Sequence, residues 1–169
     1  GPLKDVRVRK AIALAFDYQG MMQFYKGFAK PGNGPLPSDF SASLRKLPTM
    51  KQNLAEAKKL MADAGYKNGF TITYLGLKGL SYEEFAGTLL QSSLGKIGIK
   101  VKQVLTPWPQ MVEIMSKPNT AADLSFLNMS PLTNDPTYML GSSYLSQNIA
   151  SKGGYNWSYF VDPKIDGWF

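Results

Sequence analysis

Three short loops, Gly76 to Ser81, Thr106 to Pro109 and Ser130 to Pro136, carry the side chains best suited to meet a ligand. Ser130, Thr133 and Asn134 offer neutral hydrogen-bonding groups, which suit a polar, uncharged partner. Trp108 has two readings: its indole either stacks on a ligand or fills a core. None of this is bond-breaking chemistry. The chain has no histidine and no cysteine, so His-based general bases, Cys/His metal sites, disulfides and Ser-His-Asp or Cys-His catalysis are excluded. Twelve carboxylates remain, scattered along the chain. Asp123 with Asp135 is the enzyme alternative they leave open, and function must be argued from a site. The expectation is a protein without catalytic residues, metal or cofactor.

The loops are placed by a strand-helix-strand pattern. Phe70 to Leu77 is β-branched and alternating, which predicts a strand. Tyr82, Phe85, Ala86, Leu89, Leu90, Ser93, Leu94 and Ile97 recur at helical spacing, with Gly98 as the stop. Ile99 to Leu105 alternates apolar residues against Lys100 and Lys102, which predicts a half-buried strand. A short apolar helix follows over Gln110 to Ser116. Asp123 to Met129 then carries no charge after its first residue, as a strand covered on both faces would. Strands joined by helices run parallel, and open α/β sheets bind ligands at their carboxyl edge. The three loops lie there. The predicted fold is α/β, a largely parallel sheet with helices on both faces.

Around this frame, Asp5 and Asp17 cap two consecutive helices, with Val8, Ala11, Ile12, Ala15 and Phe16 forming the apolar stripe of the first. Lys30 to Pro48 holds four prolines and two glycines and is irregular. Its Gly32 to Pro37 stretch lacks the lysine and hydroxyl of a phosphate-binding loop and precedes no helix, so that reading is rejected. Asn53 caps a helix to Ala64, and Gly65 ends it. Beyond the third strand, Asp135-Pro136 opens a short helix, Ser142 to Gly154 is a polar connection, and Asp162-Pro163 starts a last helix that is expected to be cut at Phe169, as in a fragment of a longer protein.

The 169 residues with 44% hydrophobic content suffice for one domain with a real core, and no apolar run is long enough to span a bilayer. A net charge of +7 invites a nucleic-acid reading. The densest basic cluster, Lys4, Arg7, Arg9 and Lys10, lies on the polar face of a helix, and a solvated basic face explains it. A stand-alone basic α/β module binding nucleic acid or another polyanion is the alternative function.

Three passages resemble the extracytoplasmic solute-binding proteins of ABC importers, in the oligopeptide, dipeptide and nickel group (family 5). They are Leu3 to Asp17, Gly27 to Pro31 with Gly34 to Pro37, and Ala55 to Tyr66 with Asn68 to Phe70. Leu94 to Val101 with Trp108, Asp123 to Pro136, and Asn156 with Asp162, Pro163 and Asp166 extend the resemblance over nearly the whole chain. It implies a periplasmic-binding-protein-like fold, with residues 1–169 as a single partial C-terminal lobe, the N-terminal lobe and a final return segment lying outside. It implies the solute-binding component of an ABC transporter, located in the periplasm or held extracytoplasmically by a lipid. Such a protein captures a peptide or other small polar solute by hinge closure and delivers it to a membrane permease, with no enzymatic step and no nucleic acid.

The resemblance also implies site residues. In the dipeptide binders a cation after the first strand holds the ligand carboxylate, and Lys78 is its counterpart here; a solvated lysine is the alternative. Peptide binders carry an aspartate four residues before the loop proline, where this chain has Leu132. An apolar residue cannot neutralise an ammonium. Met129 stands where an aromatic residue is often found. Asp135 matches the helix-capping aspartate of the family, with ligand contact as its other reading.

Overall fold

The computed structural model describes residues 1–40, 42–43, 46–133 and 135–169. The chain forms two compact units: Gly1–Pro31, Thr49–Pro107 and Ala122–Phe126 make the first, and Gly32–Pro48, Trp108–Ala121 and Leu127–Phe169 the second.

Local capping starts three helices of the first unit. Asp5 accepts from the Arg7 amide at 2.8 Å to open α1 (Val6–Ala15), Asp17 accepts from Gly20 to open α2 (Tyr18–Phe24), and Asn53 accepts from Glu56 to open α3 (Leu54–Asp63). The carbonyls left over at the end of α1 find partners where the chain returns: Asn53 N donates to Leu14 O and the Gln52 side-chain Nε2 to Ala15 O. Arg7 ties α1 to α3 by donating to Asp63 O at 2.8 Å.

The sheet has the order β2-β1-β3, all parallel, with β1 (Phe70–Leu77) central, β2 (Ile99–Thr106) on one side and β3 (Leu124–Ser125) on the other. Phe70 pairs with Ile99 and Leu77 with Thr106, so β1 and β2 start and stop together. Between them runs α4 (Ser81–Gly95). It ends before Ile97: Lys96, Ile97 and Gly98 donate three residues back, a tightened last turn, and Gly98 takes φ +86°. One face of the sheet, through Ile72, Tyr74, Ile99 and Val101, joins Val8, Ala11, Ala15, Ala57, Met61, Leu94 and Ile97 in a single apolar core. Ala11 and Ala15 of α1 and Ala57 of α3 are fully buried, and their small side chains let the two helices approach closely.

β3 corrects the expected third strand. It is two residues long and half-buried rather than a covered run from Asp123 to Met129, because it pairs with β1 alone and from Leu127 the chain enters the second unit. Asp123, just before β3, is committed to β1, its carboxylate accepting from Thr73 N at 2.8 Å.

In the second unit α5 (Trp108–Met115) starts two residues earlier than expected, so Trp108 is its first residue and not part of a loop. α6 (Pro136–Tyr144) extends into the stretch expected to be a connection. Asp135 caps it through the Thr137 amide and hydroxyl, which holds its carboxyl below the usual range. Asn156 organises the segment beyond α6. It is fully buried; its amide nitrogen donates to the carbonyls of Phe160, Leu145 and Tyr144, and its side-chain oxygen accepts from the Ser158 hydroxyl. The last helix, α7 (Pro163–Asp166), is a single turn that ends at Asp166 rather than running on to Phe169.

Candidate functional site

The carboxyl edge of the sheet is built from the last residues of β1 and β2 and the turn that leads into α4. Lys78 sits on that turn, exposed, and makes no ion pair among the described residues. The backbone beneath it is tied at three successive residues. Leu77 N donates to the Glu83 carboxylate at 2.7 Å, Lys78 N to Thr106 O at 3.0 Å, and Gly79 N to the Glu84 carboxylate at 2.8 Å. Gly79 reverses the chain at φ +88°. Leu80, at the N-cap of α4, has no side chain able to cap it.

Glu83 is 1% exposed. Burial pushes its carboxyl up from the ordinary 4.5, opposed by the Leu77 amide. The phenol of Tyr74 donates to Glu83 O at 2.9 Å, and burial together with the Glu83 charge pushes that phenol up as well. An acid whose pKa is raised by folding contributes stability below its unfolded pKa and loses it as pH climbs through the folded value. Comparing the protein with its Glu83→Gln variant by urea denaturation between about pH 4 and 7, the balance of stability should therefore move towards the variant as pH rises. A difference flat across that span counts against a strained carboxylate.

Thr106 closes β2 with its hydroxyl oxygen buried and unpartnered. Orphaned buried hydroxyls are costly, whereas an apolar group of the same shape is not. Thr106→Val is expected to keep or raise stability, by up to about 1 kcal/mol. A loss of that size in thermal unfolding would mean the hydroxyl is satisfied.

The other residues singled out in the sequence belong to the second unit. Trp108 is 41% exposed and lies on the 8% exposed Trp157, ring centroids 5.7 Å apart and planes inclined by 23°. One face of the indole therefore packs and part of it stays open. Met129 packs against the small cluster of Leu36, Phe40 and Met139. Ser130, Leu132 and Thr133 are exposed, Leu132 at 74%, and Thr133 accepts from Asp135 N through its hydroxyl. Asn134 lies outside the described residues.

Glu83 and Glu84 read from the sequence only as first-turn acids and Thr106 only as the edge of a loop, and none was singled out as a site residue. Two adjacent glutamates after an uncapped leucine were the available signal. Trp157 offered none.

Two open hollows of the first unit, of about 680 Å³ beside Asp17, Met22 and Lys51 and about 310 Å³ beside Ile12, Phe16 and Leu90, are not lined by Lys78. Among the described residues no group of three or more acidic side chains is placed to hold a metal ion, and no helix is long and apolar enough to cross a membrane. The basic cluster of α1 is partly spent on the fold: Arg7 is bonded to Asp5 and Asp63 O, and Arg9 donates to Leu3 O and Lys4 O. Lys4 and Lys10 stay exposed, as on a solvated helix face. Asp123 and Asp135, the enzyme alternative, each hold a backbone amide.

The carboxyl edge of a parallel α/β sheet is where such folds bind ligands, and here it carries the exposed Lys78. Residues 1–151 match the model for bacterial extracellular solute-binding proteins, family 5, and the chain belongs to that family. It is 24% identical to the glutathione-binding protein GsiB of Pectobacterium atrosepticum, over 98% of this chain and 32% of that protein. To a probable di/tripeptide-binding protein of Pseudomonas aeruginosa it is 28% identical, over 98% of this chain and 31% of that one. The structure of HbpA2 from Haemophilus parasuis superposes with a TM-score of 0.86 at 26% identity, covering 99% of this chain and 33% of that chain. The chain thus spans about a third of the length of the relatives it matches. The first two of these relatives are named for what they bind, glutathione and di- or tripeptides.

Proposed function

We propose that this chain is part of one lobe of the solute-binding component of an ABC importer. Hinge closure against a second lobe, outside these residues, captures a peptide or other small polar solute and presents it to a membrane permease. The single observation that carries this is the family match over residues 1–151. Closure is driven by the contacts the solute makes with both lobes at once. The assignments within it are of the same standing. Lys78 receives a solute carboxylate, the open part of Trp108 receives an apolar or flat portion, and the loop with Met129, Ser130, Leu132, Thr133 and Asn134 supplies neutral contacts. Leu132 supports a solute with no ammonium at that point. The protein works in the periplasm or as a lipid-anchored extracytoplasmic protein, and it carries out no reaction.

The test uses the full-length protein and isothermal titration with trialanine, N-acetyltrialanine and trialanine amide, with small-angle scattering of the same samples. The expected result is that the two free carboxylates bind at least about tenfold more tightly than trialanine amide, with a smaller radius of gyration on binding. No binding by any probe, combined with tight oligonucleotide binding that falls steeply with salt, would overturn it.

A further inference from the structure

We propose that Glu83 and Glu84 are positioning residues, holding the turn that carries Lys78 in the shape in which it receives the solute. This rests on the assignment of Lys78 to the solute carboxylate. Both glutamates lie in the first turn of α4, yet neither side chain serves as an ordinary helix-end charge. They reach back over the turn and accept from Leu77 N and Gly79 N, the two amides that flank Lys78. The amide of Lys78 itself is held by Thr106 O. A turn with three successive amides committed, one to the neighbouring strand and two to carboxylates, cannot change its backbone without breaking charge-assisted bonds. The Lys78 ammonium, by contrast, makes no ion pair among the described residues. The backbone is fixed and the charge is left free, which is the division a preorganised anion receptor needs. The two acids differ in their surroundings. Glu83 is anchored in the core beside Tyr74, whereas Glu84 is half-buried and can be altered without opening the core.

The discriminating variants are Glu84→Ala, which removes the acceptor, and Glu84→Gln, which keeps a carbonyl oxygen for Gly79 N while removing the charge. In the full-length protein, Glu84→Ala should bind trialanine roughly tenfold more weakly, the size of one lost charge-assisted bond. Glu84→Gln should stay within about twofold, and trialanine amide should bind all three proteins alike. Hydrogen exchange provides a readout without a solute. The Gly79 amide should exchange at least about tenfold faster in Glu84→Ala than in the other two, with the amides of Ile72 and Tyr74 unchanged. Equal affinities in Glu84→Ala and the parent overturn the proposal, and so does a Glu84→Gln variant as weak as Glu84→Ala. If the parent binds no trialanine, the peptide reading is what fails. The positioning role is then decided by exchange, where equal Gly79 rates in all three proteins overturn it.

Discussion

Gly69→Ala is expected to destabilise the protein by about 3 kcal/mol or more. Gly69 takes φ +70°, and a Cβ built there would lie 1.8 Å from Gly98 O and 2.4 Å from Gly98 C. The obstacle is backbone, so no rotamer change relieves it. The left-handed conformation costs a side chain about 1–2 kcal/mol and forced overpacking about 1–3 kcal/mol more. The contact joins the turn before β1 to the turn before β2, immediately ahead of the Phe70 and Ile99 pair that sets the parallel register. Relief by separation would therefore shift the register of the sheet. Gly65→Ala is the control, since Gly65 has φ +84° with nothing within 4 Å of an added Cβ. It should lose only the conformational part, about 1–2 kcal/mol. In thermal unfolding the expected gap between the two variants is roughly 5 °C or more. Equal losses would mean that the two turns do not touch.

The contrast between these glycines shows what the sequence could reveal. Asp5, Asp17 and Asn53 were legible as caps because a capping oxygen finds its amide two or three residues onward, and the first two strands were legible because alternation is a local property. The carboxyl-edge loop with Lys78 followed from those elements. The features that stayed hidden depend on partners distant in sequence. Gly98 reads as a helix stop in the chain, yet its closest constraint is Gly69. The apolar run after Asp123 looks like a covered strand, but only two residues find a neighbour in β1. Glu83 and Glu84 read as first-turn acids, which favour a helix N-terminus. Only the fold shows their carboxylates turned back onto the amides beside Lys78. The packing partner of Trp108 was hidden for the same reason, since Trp157 lies 49 positions on.

Lys78→Ala in the full-length protein is expected to weaken trialanine binding by roughly tenfold to hundredfold, the range for losing one hydrogen-bonded charge partner in an enclosed site. Trialanine amide, which presents no anion, should bind the variant and the parent alike. Lys78→Arg should retain part of the affinity, since the charge survives but a planar fork does not reproduce the geometry of an ammonium. Lys78→Glu should lose more than the alanine variant, because it sets like charges against each other. Stability separates this from a folding effect. Lys78 is exposed and makes no ion pair among the described residues, so its replacement should change unfolding free energy by no more than about 0.5 kcal/mol. A solvated lysine would give a different pattern: changes of about twofold or less, fading with salt and indifferent to the carboxylate. If alanine and glutamate at this position both leave trialanine binding intact, the anion is held elsewhere, and the tied turn presents its cation to solvent alone.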